Sequence, residues 1–165
     1  MKKVVIFLSI MISILVLNKE EIIIPKESIR FRVIANSDVK EDQELKKEIV
    51  NNLSKEIINK NVNNIVEERK YLKKKLPEFT KIVDKTINKQ NITEKYTINY
   101  GKNYFPEKKY KKVVYPAGEY ESLVITIGEG NGENFWCVLF PPLCLIDEDT
   151  AEYPSLIRKI INKYF

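Results

Sequence analysis

The chain has 165 residues, 44% of them hydrophobic and 31% charged, with a formal net charge of +5 and no histidine. That length gives room for one domain with its own core, and the composition marks a globular chain rather than a disordered one. Without histidine there is no Ser-His-Asp or Cys-His catalysis, no His-ligated zinc and no imidazole pH switch. Two cysteines are too few for an all-cysteine zinc site, and the mild positive balance reads as a solvated lysine-rich surface without nucleic acid as a partner.

The chain starts with Met1-Lys2-Lys3, and residues 4–17 form an apolar run broken only by Ser9 and Ser13. A positive flank before such a run, with Lys19, Glu20 and Glu21 after it, is the pattern of an export signal. Fourteen residues suit a signal-peptide core better than a full membrane span, which takes about 20. Residues 1–24 are therefore expected to be a signal peptide or a short membrane anchor held through 4–17. Residues 25–165 are expected to form a single α+β domain.

Residues 29–35, IRFRVIA, alternate: Ile29, Phe31, Val33 and Ala35 on one face, Arg30 and Arg32 on the other, as in a half-buried strand. Asn36-Ser37-Asp38 ends it, and Ser37 or Asp38 can cap the helix that follows. Glu41 and Asp42 then lie in a first turn, where the helix dipole favours acid. The helix is expected over 39–59, with Leu45, Ile49, Leu53 and Ile57 as its core stripe. A second helix is expected over 65–76 and a third over 77–88, because Pro77 fits the first position of a helix and not its interior. Between Arg69 and Lys89 the chain carries eight basic residues against Glu78 and Asp84, read as a solvated face.

From residue 92 the period changes to two. Tyr96, Ile98 and Tyr100 alternate with polar neighbours, residues 101–106 read as a loop, and 111–115 and 119–127 read as strands separated by Pro116-Ala117-Gly118. Residues 135–140 are apolar on both faces and are expected to be a central strand. A short amphipathic helix is expected over 153–164. The resulting fold class is α+β: a largely antiparallel sheet of about five strands, three helices inserted after the first strand, and a C-terminal helix.

The segment from 128 to 144, GEGNGENFWCVLFPPLC, departs furthest from the Lys, Asn, Ile and Glu background. It holds three of the five glycines, the lone tryptophan and both cysteines. Its glycines invite a phosphate-loop reading, which fails: no Gly-Lys-Ser/Thr is present and a strand follows, so the expectation is a hairpin loop. Cys137 and Cys144 can form a disulfide if Pro141-Pro142 turns the chain back. If the chain runs on extended, they stay apart as buried thiols. Asp147-Glu148-Asp149 has no cation-site spacing and reads as solvated. The sequons at Asn52 and Asn91 read as chance matches in an Asn-rich chain. No metal and no cofactor is expected.

Three blocks, IRFRVIANSD followed by EDQ (29–38 and 41–43), FPEKKY (105–110) and YPAGEYESLVITIGEGNGENFWCVLFPPLC (115–144), together resemble the stage II sporulation protein R family of endospore-forming Firmicutes. The resemblance implies a non-enzymatic intercellular signal, exported from the forespore into the space between the forespore and mother-cell membranes. Its implied partner is a membrane-embedded aspartic protease of the mother cell, triggered to cleave the precursor of a sporulation sigma factor. The family brings no catalytic residues. Polar or glycine-rich composition at predicted strand ends then nominates partner-binding residues: Asn36, Ser37, Asp38, Asp42, Gly128, Glu129, Gly130, Asn134, Trp136, Pro141 and Pro142. Two other classes stay open: an exported hydrolase using a carboxylate pair such as Asp38 and Glu129, and a structural cell-envelope protein.

Overall fold

Alternation in IRFRVI produces the strand that lies at the centre of the main sheet, β2 (Ile29–Ile34). The computed structural model of the protein describes residues 21–58, 62–89, 94–144 and 152–165. Around β2 are β1 (Ile22–Ile23), α1 (Lys40–Ile58), α2 (Ile65–Lys89), β3 (Tyr96–Phe105), β4 (Lys108–Tyr110), β5 (Val113–Tyr115), β6 (Gly118–Ile127), β7 (Asn134–Phe140) and α3 (Tyr153–Tyr164). The apolar run 4–17, the acidic triplet at 147–149 and the sequon at Asn91 lie outside the described residues.

The α+β class holds, but the sheet is neither single nor largely antiparallel. Among the described residues there is a four-stranded sheet in the order β3-β6-β2-β7 and a three-stranded sheet in the order β1-β5-β4. β2 runs parallel to β6 and antiparallel to β7, so it is inserted between two strands that are adjacent in sequence. It is buried on both faces: Ile29, Phe31 and Val33 on one and Arg30 on the other. Both of its edges are hydrogen-bonded as well, to β6 and to β7. β7, expected to be central, is instead an edge strand. It is apolar on both faces because both are covered, while its outer edge is partly closed by the chain folding back: Leu143 N–H and Cys144 N–H donate to Val138 O at 3.1 and 3.3 Å.

α1 and α2 cover one face. The stripe Leu45, Ile49, Leu53 and Ile57 is buried as expected, against Phe31, Val33, Leu123 and Leu139. At 25 cal/mol per Å², each of these aliphatic side chains contributes about 2 kcal/mol on burial. Asn52 in this helix donates to Thr86 Oγ1 of α2 at 3.1 Å, which ties the two helices together.

The expected second and third helices are one, α2, with Pro77 inside it. Leu72, Phe79, Val83 and Ile87 continue a single buried stripe across the proline. Their common burial outweighs a missing backbone donor that costs about 3 kcal/mol in a helix interior. Pro77 itself is exposed. Pro77→Ala should therefore stabilise the protein by ~1–3 kcal/mol, read as a higher midpoint in urea; an unchanged or lower midpoint would show that the ring is needed where it sits.

Two further expectations fail. Gly101 lies inside β3, paired with Ser122, rather than in a loop. β3 is an edge strand and a Cβ at Gly101 would meet only Asn99 Oδ1 at 3.6 Å, so nothing there forces a bend. Lys111 and Lys112 form the turn between β4 and β5, with Lys111 at φ 53°, and only Val113–Tyr115 is strand. The C-terminal helix occupies the expected residues.

The other face of the main sheet carries Arg30, Arg32, Trp136 and Val138. Phe105, Tyr120 and Val124 pack there, and the small sheet joins α3 through Ile22, Val113, Tyr115, Leu143, Tyr153 and Ile157. The Arg30 guanidinium lies 3.4 Å from the Tyr120 ring centre and 5.3 Å from that of Phe105, and donates to Pro116 O at 3.3 Å. Burial pulls its pKa below the ordinary arginine value, opposed by Tyr120 and Tyr115.

Candidate functional site

Because β2 separates β6 from β7, residues 128–133 do not close a hairpin. They pass over the C-terminal end of β2 and are bonded to it. Asn131 N–H donates to Asn36 O at 2.9 Å and Gly132 N–H to Ala35 O at 3.0 Å. Glu129 N–H donates to Asn36 Oδ1 at 3.0 Å, and Glu133 N–H to Asp38 Oδ1 at 2.6 Å. Gly128 N–H reaches Lys95 O at 2.7 Å, which ties the loop to the start of β3 as well.

Glycine is required here by proximity. A Cβ on Gly132 would stand 2.2 Å from the backbone oxygen of Ser37. One on Gly128, at φ 54°, would stand 2.2 Å from Asn36 Oδ1. The Gly132 side chain would displace the loop from the strand end, whereas at Gly128 it is the left-handed backbone that disfavours a side chain, since the atoms met there belong to the Asn36 and Glu94 side chains.

The Asn-Ser-Asp turn is held from its other side by α1. Asn36 Nδ2 donates to Asp42 Oδ2 at 3.1 Å and to Glu94 Oε1 at 3.3 Å. Ser37 Oγ donates to Asp42 Oδ2 at 2.6 Å and accepts from Val39 N–H at 3.3 Å. Ser37 thus serves the helix start, whereas Asp38 serves the loop. The first-turn acid Asp42 carries both the helix dipole and two side-chain bonds.

Three residues outside the nominated set complete the arrangement. Gln43 Nε2 donates to Ser37 O at 2.9 Å, Lys46 Nζ donates to Glu133 O at 2.9 Å, and Glu94 accepts from Asn36. Lys46 is only 7% exposed, and burial lowers its pKa. A sequence signal existed for Lys46: a lysine beside Leu45, whose ammonium needs an acceptor if buried.

Asn36, Ser37, Asp38, Asp42, Gly128, Glu129 and Gly130 thus converge at one end of the sheet, with Asn134 opposite Ile34 at the start of β7. The inward polar groups brace the loop, while Asp38, Glu129, Asn131 and Glu133 are exposed. The result is a small acidic and amide rim presented on a rigid support.

Trp136 lies two residues along β7, opposite Arg32. It is half-buried, packed edge-to-face on Phe105 at 5.2 Å, with Lys108 Nζ 5.1 Å from the indole.

Pro141 and Pro142 are not part of this surface. Phe140 pairs with Ile29, so β7 ends at the far end of the sheet. The Phe140–Pro141 peptide is cis. The chain reverses at these prolines, and Cys137 and Cys144 form a disulfide with Cα atoms 5.2 Å apart. Closing so short a loop contributes about 2.5 kcal/mol by chain entropy. Cys137→Ser with Cys144→Ser should lower stability by that order in a denaturant melt, and reduction of the parent chain should reproduce the loss; a variant as stable as the parent would remove the disulfide from the account.

Among the described residues no cluster of His, Cys, Asp or Glu could hold a metal ion, and no helix is long and apolar enough to cross a membrane.

The fold and this end of it define an α+β protein with a glycine loop locked across a central strand. The family model described as stage II sporulation protein R matches residues 25–150, and the chain belongs to that family. The stage II sporulation protein R of Bacillus subtilis (strain 168) is 43% identical over 135 residues, which are 81% of this chain and 60% of that protein. The match thus spans less than two thirds of that relative's length. No solved structure matches the chain.

Proposed function

We propose that this protein is an exported, non-enzymatic sporulation signal. It leaves the forespore for the intermembrane space and activates a membrane-embedded aspartic protease of the mother cell, which then cleaves the precursor of a sigma factor. Family membership over 25–150 supports the sporulation role. The observation that carries the mode of action is the loop 128–133, fastened to β2 by its backbone and by Asn36 and Asp38, with Glu129, Asn131 and Glu133 left facing outward. Its polar inner groups are committed to holding shape. Such preorganisation lowers the ordering cost of binding and suits a contact surface.

A ligand activates only by binding the active state of its target better than the inactive one. A preference of about 3 kcal/mol shifts such an equilibrium on the order of 100-fold. The rim at 128–133, with Asn36-Ser37-Asp38 behind it, supplies that preference. Asp38 is engaged by the loop backbone, which favours a bracing role over service in a carboxylate pair.

The test is to supply the full-length chain to cells or proteoliposomes that carry the mother-cell protease and the sigma-factor precursor. Dose-dependent cleavage is the expected result. No cleavage from a folded chain, anchored or released, would overturn the reading.

A further inference from the structure

α3 and β1 lie at the end of the main sheet away from the glycine loop, with Tyr164 of α3 packed on Phe140, while β4 reaches back along the sheet to place Lys108 on Trp136. β6 joins the two ends: Gly118 follows the small sheet and Ile127 precedes the loop. Ten residues of strand span about 30 Å.

The described chain begins at this remote end. Ile22 N–H donates to Lys112 O at 2.8 Å, and Glu21 pairs with Lys109. Only Asn18, Lys19 and Glu20 separate the apolar run 4–17 from Glu21. Four Cα steps reach at most about 14 Å. With the run in a bilayer, β1 and whatever packs on it are held close to the headgroups.

What packs on β1 is α3, whose twelve residues include Arg158, Lys159 and Lys163 and no acid. Between them lies an open groove of about 810 Å³, lined by Ile22, Lys112, Pro154, Ser155, Arg158, Lys159 and Asn162. The same two elements also expose apolar side chains: Ile23 of β1 is 62% exposed and Leu156 of α3 is 37% exposed. Exposed lysines beside exposed aliphatic groups are the chemistry of an interfacial surface: cations meet lipid phosphates while the apolar groups enter the acyl boundary.

We propose that the β1–α3 face is a docking surface for an anionic phospholipid bilayer, laid on the membrane that the 4–17 run enters, with the glycine loop directed away from it. Each lysine near such a surface is worth on the order of 5-fold in partitioning. The inference rests on this end of the fold and not on the signalling reading.

The experiment is amide hydrogen exchange on the full-length chain, reconstituted in phosphatidylcholine vesicles with and without phosphatidylglycerol. On the anionic vesicles β1, the Lys111–Lys112 turn and α3 should exchange several-fold more slowly, with the loop 128–133 unchanged. High salt should abolish the difference. A chain carrying Lys112→Glu, Lys159→Glu and Lys163→Glu, all at exposed positions, should melt like the parent and show no difference between the lipids.

Equal exchange in both lipids would overturn the proposal, as would protection that survives in the triple variant. Protection by inorganic phosphate on phosphatidylcholine vesicles would also overturn it, and would assign the groove to a free anion. None of these outcomes bears on protease activation, which is read separately by precursor cleavage.

Discussion

Gly132→Ala should abolish activation of the protease and lower the melting temperature by roughly 10 °C. The new methyl carbon would stand 2.2 Å from Ser37 O and 2.5 Å from Ser37 C, both backbone atoms of a turn already bonded to α1. Neither side can yield by a simple rotamer change. The loop must leave the strand end, which breaks the Gly132–Ala35 and Asn131–Asn36 backbone bonds. Two backbone hydrogen bonds at about 1 kcal/mol each and the lost packing on Ala35 amount to ~3 kcal/mol. A domain of this size loses about 2–4 °C per kcal/mol. Thermal melts by circular dichroism and precursor cleavage read the two effects. A variant that melts and signals like the parent would show that the loop has no fixed seat on β2.

The second large effect is expected at Arg30, a charged residue 1% exposed in the layer between the two sheets. Its Nε and Nη1 find no hydrogen-bond partner among the described residues, and its nearest neighbours are the ring faces of Tyr120 and Phe105. Arg30→Ala should cost ~3–4 kcal/mol, because it leaves a void among aromatic rings that cannot collapse. Arg30→Met keeps the volume and removes a buried charge whose Nε and Nη1 lack hydrogen bonds, so it should stay within about 1 kcal/mol of the parent. Denaturant melts decide between shape and charge. If the Met variant falls as far as the Ala variant, the attraction between guanidinium and rings holds the layer together.

Local structure was legible wherever local rules set it. The alternation of β2, the apolar stripe of α1 and the position of α3 follow from side-chain period alone. The candidate loop was visible because three glycines cluster where the background has almost none, and Asn-Ser-Asp announced a turn. What the sequence did not show is that these two features touch: Asn36 and Glu129 meet because β2 threads between β6 and β7, and pairing across 93 residues leaves no local trace. The same insertion explains the hairpin expected at 128–132 and the central place expected for β7.

Pro77 was misread because helix-breaking is a local rule and burial of Leu72, Phe79 and Val83 is not. The nominated set was split by the same geometry. Its glycine and Asn-Ser-Asp members share one end, while Pro141 and Pro142 close the other, beside the disulfide and α3. Gln43, which completes the brace on Ser37 O, shows its role only in the folded turn, and the acceptor that a buried Lys46 needs is identified only there, as Glu133 O.

One measurement addresses the central claim that the exposed rim of the glycine loop engages the protease. The full-length chain and a variant carrying Glu129→Lys, Asn131→Ala and Glu133→Gln would be titrated in the reconstituted cleavage assay, with their melts compared. All three side chains are exposed, and the loop reaches β2 through its backbone at these residues. The account predicts matched melts and a loss of activation on the order of 100-fold, the scale of the state preference a signal must supply. Full activation by the folded variant would contradict it and move the contact to another face of the molecule.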